Sequence, residues 1–170
     1  MSSFDAEEAH AALLQARRDG APEARAFGEL TIQSTLHVGD GGTFFCHVME
    51  RVAQGRWELW RSPTAVFALR VGSTPSMWLD AGAIALDTSF GAFIPESAAE
   101  EIQGLDDEEV TCDFAMDIVG HDDFHDRTEA VVKTPNGASI AVFRLPAVGA
   151  YPVAKGLDAG GRVCAIVVRG

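Results

Sequence analysis

The last apolar run of the chain makes the strongest demand on the fold. Val163-Cys-Ala-Ile-Val-Val168 is unbroken by any polar residue. A strand with one wet face alternates apolar and polar side chains; a continuous apolar run suits a strand covered on both faces. Two turn signals precede it. Pro135-Asn136-Gly137 separates Ala130–Lys133 from Ala138–Phe143, and Asp158-Ala-Gly160-Gly161 separates Tyr151–Leu157 from Arg162–Val168. Asn-Gly and Gly-Gly supply the positive φ angles of tight hairpins. The chain therefore reads as ending in two hairpins in series, with a buried final strand.

Earlier segments extend the β reading. Leu30, Ile32, Ser34, Leu36 and Val38 share one parity and predict a half-exposed strand. Gly39–Gly42 reads as a turn, and Thr43–Val52 as β-prone. Arg56–Trp60 puts Trp57 and Trp60 on opposite faces if it is a strand, and Ala65–Val71 is an apolar strand. Asp80-Ala-Gly82 reads as a turn between Trp78 and Ile84–Leu86. Val110, Cys112, Phe114 and Met116 alternate with Thr111, Asp113, Ala115 and Asp117, which predicts one more strand.

Two helices are expected. Phe4–Arg18 has Asp5 as a cap and Glu8 three residues on, acids in its first turn, Arg17-Arg18 in its last and Gly20 as a stop. A shorter one is expected near 95–103, with Pro95 at its start and Gly104 at its end. The expected fold is thus β-rich (α+β), a mostly antiparallel sandwich or partly open barrel. It forms a single domain over 1–170, with helix and connector in 1–26 and the β-rich body in 28–170. A chain of 170 residues with 47% hydrophobic content can bury a core of its own.

Charge bounds the partners. The formal net charge is −12, so phosphate backbones and anionic lipid repel the chain and neither nucleic acid nor membrane is expected. No apolar run approaches the ~20 residues that span a bilayer. The acidic start, Met1-Ser-Ser-Phe-Asp-Ala-Glu-Glu, lacks the order of a signal peptide. Cys46, Cys112 and Cys164 are odd in number and form no Cys-x-x-Cys pair. They read as buried thiols of a cytoplasmic protein.

The acids concentrate in Leu105–Asp126, where nine of 22 residues are Asp or Glu and no Lys or Arg occurs. Asp106, Asp107, Glu108 and Glu109 open the stretch and are candidate contacts for a basic protein partner. Within it, His121 and His125 are four apart, with Asp122 beside them. On a helix that spacing would bring both imidazoles to one metal. The arrangement is similar to His-Glu-x-x-His, but aspartate replaces the glutamate, and Phe124 alone offers an apolar contact. A solvated acidic loop is the plainer reading, and neither metal nor cofactor is expected. Cys46 and His47 are neighbours and would point to opposite faces of a strand. Ser89, His125 and Asp122 lack a Gly-x-Ser-x-Gly elbow, and Gly39–Gly42 lacks the lysine of a phosphate loop.

The segment Gly149-Ala-Tyr151-Pro152-Val153-Ala-Lys-Gly156-Leu-Asp158-Ala-Gly160-Gly-Arg162-Val163 resembles the closing motif of the DUF4241 family, bacterial domains without an assigned activity. Leu86-Asp87-Thr-Ser-Phe-Gly91-Ala-Phe93 is similar to that family's Asp-x-Gly-x-Gly-x-Phe segment. Leu145-Pro-Ala-Val-Gly-Ala150 stands where the family often has Ser-Gly-x-Gly-Asp-Gly, and Ser89 stands in place of a glycine. The resemblance covers the C-terminal half and implies a β-rich fold without supplying an activity.

Three functions follow as expectations. The first is a non-enzymatic interaction protein, inhibitor- or immunity-like, with an acidic docking surface. The second is a metal-dependent hydrolase using His121 and His125. The third is a small-ligand-binding barrel with its mouth near Asp87 and Tyr151. Asp87 otherwise serves the turn that follows it.

Overall fold

The computed structural model describes residues 5–40, 46–86, 89–104, 129–134 and 136–170. These form helix α1 (Ala6–Asp19), strands β1 (Arg25–Ile32), β2 (Thr35–Asp40), β3 (Cys46–Arg51), β4 (Gly55–Arg61), β5 (Ala65–Arg70), β6 (Met77–Leu86) and β7 (Phe90–Pro95). Helix α2 (Glu96–Gly104) follows, then β8 (Glu129–Lys133), β9 (Ser139–Arg144), β10 (Gly149–Leu157) and β11 (Val163–Arg169). A six-stranded sheet runs β1-β4-β5-β11-β10-β6, and a five-stranded sheet runs β3-β2-β7-β9-β8. Every ladder in both is antiparallel. The sheets face each other as a sandwich. Among the described residues one isolated bridge, Val52 to Val163, joins them, and no barrel closes.

The final strand has the covering its composition demands. β11 lies between β5 and β10. Ile166 and Val168 enter the core between the sheets, with Trp57, Phe93 and Phe143. Ala165 and Val167 point the other way, into a cluster with Phe67, Trp60, Trp78 and Leu13 of α1. The opposite sheet is covered likewise, since Ala98 and Ala99 of α2 pack on Ala92, Ile94, Ile140 and Val142. The layers run helix, sheet, sheet, helix, and the expected sandwich is the form observed. Trp57 and Trp60 do take opposite faces of β4.

Both closing hairpins form, but they belong to different sheets. In the first, Gly137 N donates to Thr134 O, and Thr134 N to Ala138 O. In the second, Asp158 Oδ1 accepts from Gly160 N at 2.9 Å and Arg162 N at 3.0 Å, and Gly161 has φ 80°. Those bonds, led by the one from Arg162 N, hold the Asp158 carboxyl below the usual carboxylate range.

Two expectations need correction. The apolar series Leu30 to Val38 is two strands, not one. β1 and β2 lie in different sheets, and the chain turns a corner at Gln33-Ser34. Leu30, Ile32, Leu36 and Val38 all reach the same core, so the parity survives the corner and hides it. The Asp80–Gly82 turn is instead a bulge within β6. The ladder to β10 shifts register between Val153 and Ala154, Gly82 has φ 102°, and Gly82 N donates to Asp80 Oδ1 at 2.9 Å. The strand expected at Val110–Asp117 lies outside the described residues.

α1 is built as its sequence asks. Glu8 N donates to Asp5 Oδ1 at 3.0 Å, and Gly20 is left-handed at φ 64°. Its buried face includes His10, whose ring centroid lies 5.3 Å from that of Trp78. Burial, with help from the nearby Arg17 charge, lowers the His10 pKa from 6.5. His37 is lowered by burial as well, against an opposing pull from Glu96. Below the unfolded value the unfolded chain takes up protons that the folded chain refuses. The contribution of these two groups is therefore full well above the unfolded value and is lost as pH falls through it. The melting temperature should decrease between about pH 7.5 and about pH 5.5, and His10→Gln should remove part of that decrease. Thermal scans at the two pH values check this; an identical pH dependence in wild type and variant would contradict it.

Candidate functional site

A groove of about 170 Å³ lies between α2 and the outer face of β2 and β3, lined by Thr35, His37, Met49, Glu96, Ala99 and Glu100. Strand alternation builds one wall. Leu36 and Val38 point into the core, so Thr35 and His37 point out. Met49 is the cross-strand partner of His37 and is 67% exposed. Helical spacing builds the other wall, because Glu96, Ala99 and Glu100 are i, i+3 and i+4. Pro95 pairs with Leu36 as the last residue of β7, and α2 starts at once, so its first turn sits over β2.

Hydrogen bonds fix the walls. Ser34 Oγ donates to the Glu96 carboxylate, tying the corner between β1 and β2 to the helix start. Glu101, on another side of α2, accepts from Thr134 Oγ1 and from Asn136 N, the latter at 3.1 Å. That leaves Glu100 as an exposed carboxylate on the groove rim. α2 has no basic residue in its last turn, although a helix C-terminus favours cations. The groove is thus an apolar knob and an imidazole beside two carboxylates. Ser34 Oγ bonds the Glu96 carboxylate and lies 3.5 Å from Thr35 Oγ1. Among the described residues no group of three or more His, Cys, Asp or Glu is placed to hold a metal.

A second charged group lies at the opposite flank. Glu129 of β8 is buried and pairs with Arg25 of β1 at 3.1 Å and Arg61 of β4 at 3.6 Å. Arg61 Nη2 donates to Arg144 O at 2.6 Å, and the Arg144 guanidinium lies over the Phe90 ring at 5.3 Å. Burial lowers the Arg61 pKa, with Glu129 opposing. These contacts clasp the edge of one sheet to the edge of the other.

Of the candidate binding and metal residues, Tyr151 is described. Its hydroxyl donates to Ala147 O at 2.7 Å and accepts from Ala147 N at 3.1 Å, closing the loop before β10. It therefore has a structural task. It pairs across the ladder with Ile84, two residues before the end of β6. Asp87, Asp106, Asp107, Glu108, Glu109, His121, Asp122 and His125 lie outside the described residues. Cys164 is buried, and burial raises its thiol pKa, as an inert core thiol requires. No helix among the described residues is long and apolar enough to cross a membrane.

His37, Met49, Glu96 and Glu100 were not foreseen as a site. The i, i+4 carboxylates and the outward parity of His37 are both visible in the sequence. Their convergence depends on β2 pairing with β7, a contact between segments more than fifty residues apart. Comparison of the chain with family models, with curated proteins and with solved structures found no match.

Proposed function

We propose that the protein is a non-enzymatic interaction module that binds a basic segment of a protein partner along α2 and the groove beside it. The observation that carries this reading is the composition of that face. Glu96 and Glu100 flank Met49 and His37, and the last turn of α2 holds no basic residue. A lysine or arginine entering the groove would meet both carboxylates and lay its aliphatic stem on Met49. In sequence, α2 leads directly into Asp106, Asp107, Glu108 and Glu109, which extend the acidic character expected of a docking surface. Attraction of this kind acts mainly on the association rate and weakens with salt.

The test is capture from the native host. Glu96→Gln with Glu100→Gln should lower recovery of a basic partner by about tenfold, about 1.4 kcal/mol for two lost charge contacts. The melting temperature should stay within a few degrees, because neither residue is in the core. Recovery of the same partners by wild type and variant at equal yield would contradict the proposal. The hydrolase alternative rests on His121 and His125, which lie outside the described residues; the barrel alternative needs a closed barrel, and the two sheets do not close into one.

A further inference from the structure

Among the described residues four strands end the two sheets: β1 and β6 in one, β3 and β8 in the other. Three carry charges of both signs, with Arg25 and Glu29 on β1, Glu50 and Arg51 on β3, and Glu129 and Lys133 on β8. β6 differs. It is ten residues long, Met-Trp-Leu-Asp-Ala-Gly-Ala-Ile-Ala-Leu, with Asp80 as its only charge. One side is bonded to β10 from Met77 to Leu86, and the other has no ladder partner among the described residues. Met77 is 52% and Leu79 42% exposed, and Gly82, Ala83 and Ala85 are exposed too. An edge of this kind presents free main-chain groups and is a template for another strand.

We propose that β6 pairs with β6 of a second copy of this chain, antiparallel about a two-fold axis between Ala81 and Gly82. The bulge is what selects a second copy. Directly opposed residues of an antiparallel ladder must share a face. Ala81, Ile84 and Leu86 belong to the core side, and Gly82 points the same way, towards Val48. Leu79 opposes Lys155, which opposes core residue Ile166, so Leu79 is on that side as well. Trp78 packs under α1 on the outer side, and Asp80, Ala83 and Ala85 alternate onto it. With two consecutive residues facing the core, the face pattern of β6 is a palindrome centred on the bulge. The two-fold axis therefore opposes Met77 to Leu86, Leu79 to Ile84, Trp78 to Ala85 and Asp80 to Ala83. Large residues of one copy meet small ones of the other on the outer face, and apolar meets apolar on the inner face. Asp80 meets an alanine rather than a like charge, which makes β6 the edge where two acidic chains repel least. The product is a continuous twelve-stranded sheet, with each copy adding six strands.

The test is the mass of the full chain in solution by light scattering across a dilution series, with amide hydrogen exchange on the same samples. Wild type should show twice the chain mass at high concentration, and β6 amides should exchange faster on dilution. Ala83→Lys with Ala85→Lys should return the mass to that of one chain. Asp80→Asn keeps the acceptor for Gly82 N but removes the charge near the axis, so it should shift dimerisation to lower concentration even if the lysine variant folds poorly. A chain that is monomeric at its highest soluble concentration in both wild type and Asp80→Asn overturns the proposal. So does a dimer whose β6 amides exchange at the same rate at every dilution.

Discussion

Removing Val163–Gly170 leaves a chain that does not fold. Val163 through Val168 are all buried, and Ile166, Val167 and Val168 are completely so. A fully buried Val or Ile contributes ~1.5–3 kcal/mol, and a whole domain has only ~5–15 kcal/mol of net stability. The four branched residues alone account for roughly 6–12 kcal/mol on that scale. The deletion also strips hydrogen-bond partners from β5 and β10, which become two new edges in the middle of a sheet. It uncovers Leu13 of α1 and the outer cluster as well as the inter-sheet core. The truncated chain should be insoluble or lack a cooperative melt. A soluble truncation with an unchanged melting temperature would contradict the central placement of β11.

The second large effect is expected at the clasp. Glu129→Ala leaves Arg61 buried without its carboxylate partner, and Arg61 Nη1 has no hydrogen bond to fall back on. Breaking a buried pair from one side costs about 3–5 kcal/mol, because the remaining charge stays desolvated. Adding Arg61→Met to Glu129→Ala should recover much of the loss, since a neutral pair no longer buries a charge. Urea denaturation of the two single variants and the double variant gives the coupling directly. If Glu129→Ala and the double variant are equally unstable, the charge left on Arg61 is not the cause.

The hairpins and the caps of α1 were legible because each rests on local chemistry. Asn136-Gly137, Asp158-Gly160-Gly161, Asp5 and Gly20 act within four residues of themselves. The unbroken Val163–Val168 run announced cover on both faces. The corner at Gln33-Ser34 was invisible because Ile32 and Leu36 keep their parity while changing sheets. The bulge in β6 looked like a turn because Asp and Gly serve both; what separates them is whether Val153 and Ala154 continue the ladder. The groove was illegible for a similar reason. His37 and Glu96 are brought together by strand order, a property of pairings between distant segments. Tyr151 was placed at the mouth of a barrel, but its hydroxyl is engaged by the carbonyl and the N–H of Ala147, four residues away.

The groove uses the outer face of β2 and β3 and the dimer uses the free edge of β6, so a dimer through β6 would carry two grooves. Two linked copies bind a partner with repeated basic segments more tightly than either alone. An interaction module of this kind requires that basic residues enter the groove. The most direct measurement is a titration of isotopically labelled full chain with a lysine-rich peptide, followed residue by residue through amide chemical shifts. Saturable shifts are expected at Thr35, His37, Met49, Ala99 and Glu100, reduced by added salt and lost in Glu96→Gln with Glu100→Gln. Shifts spread over the surface with those five amides unmoved, or unchanged in the variant, would contradict it.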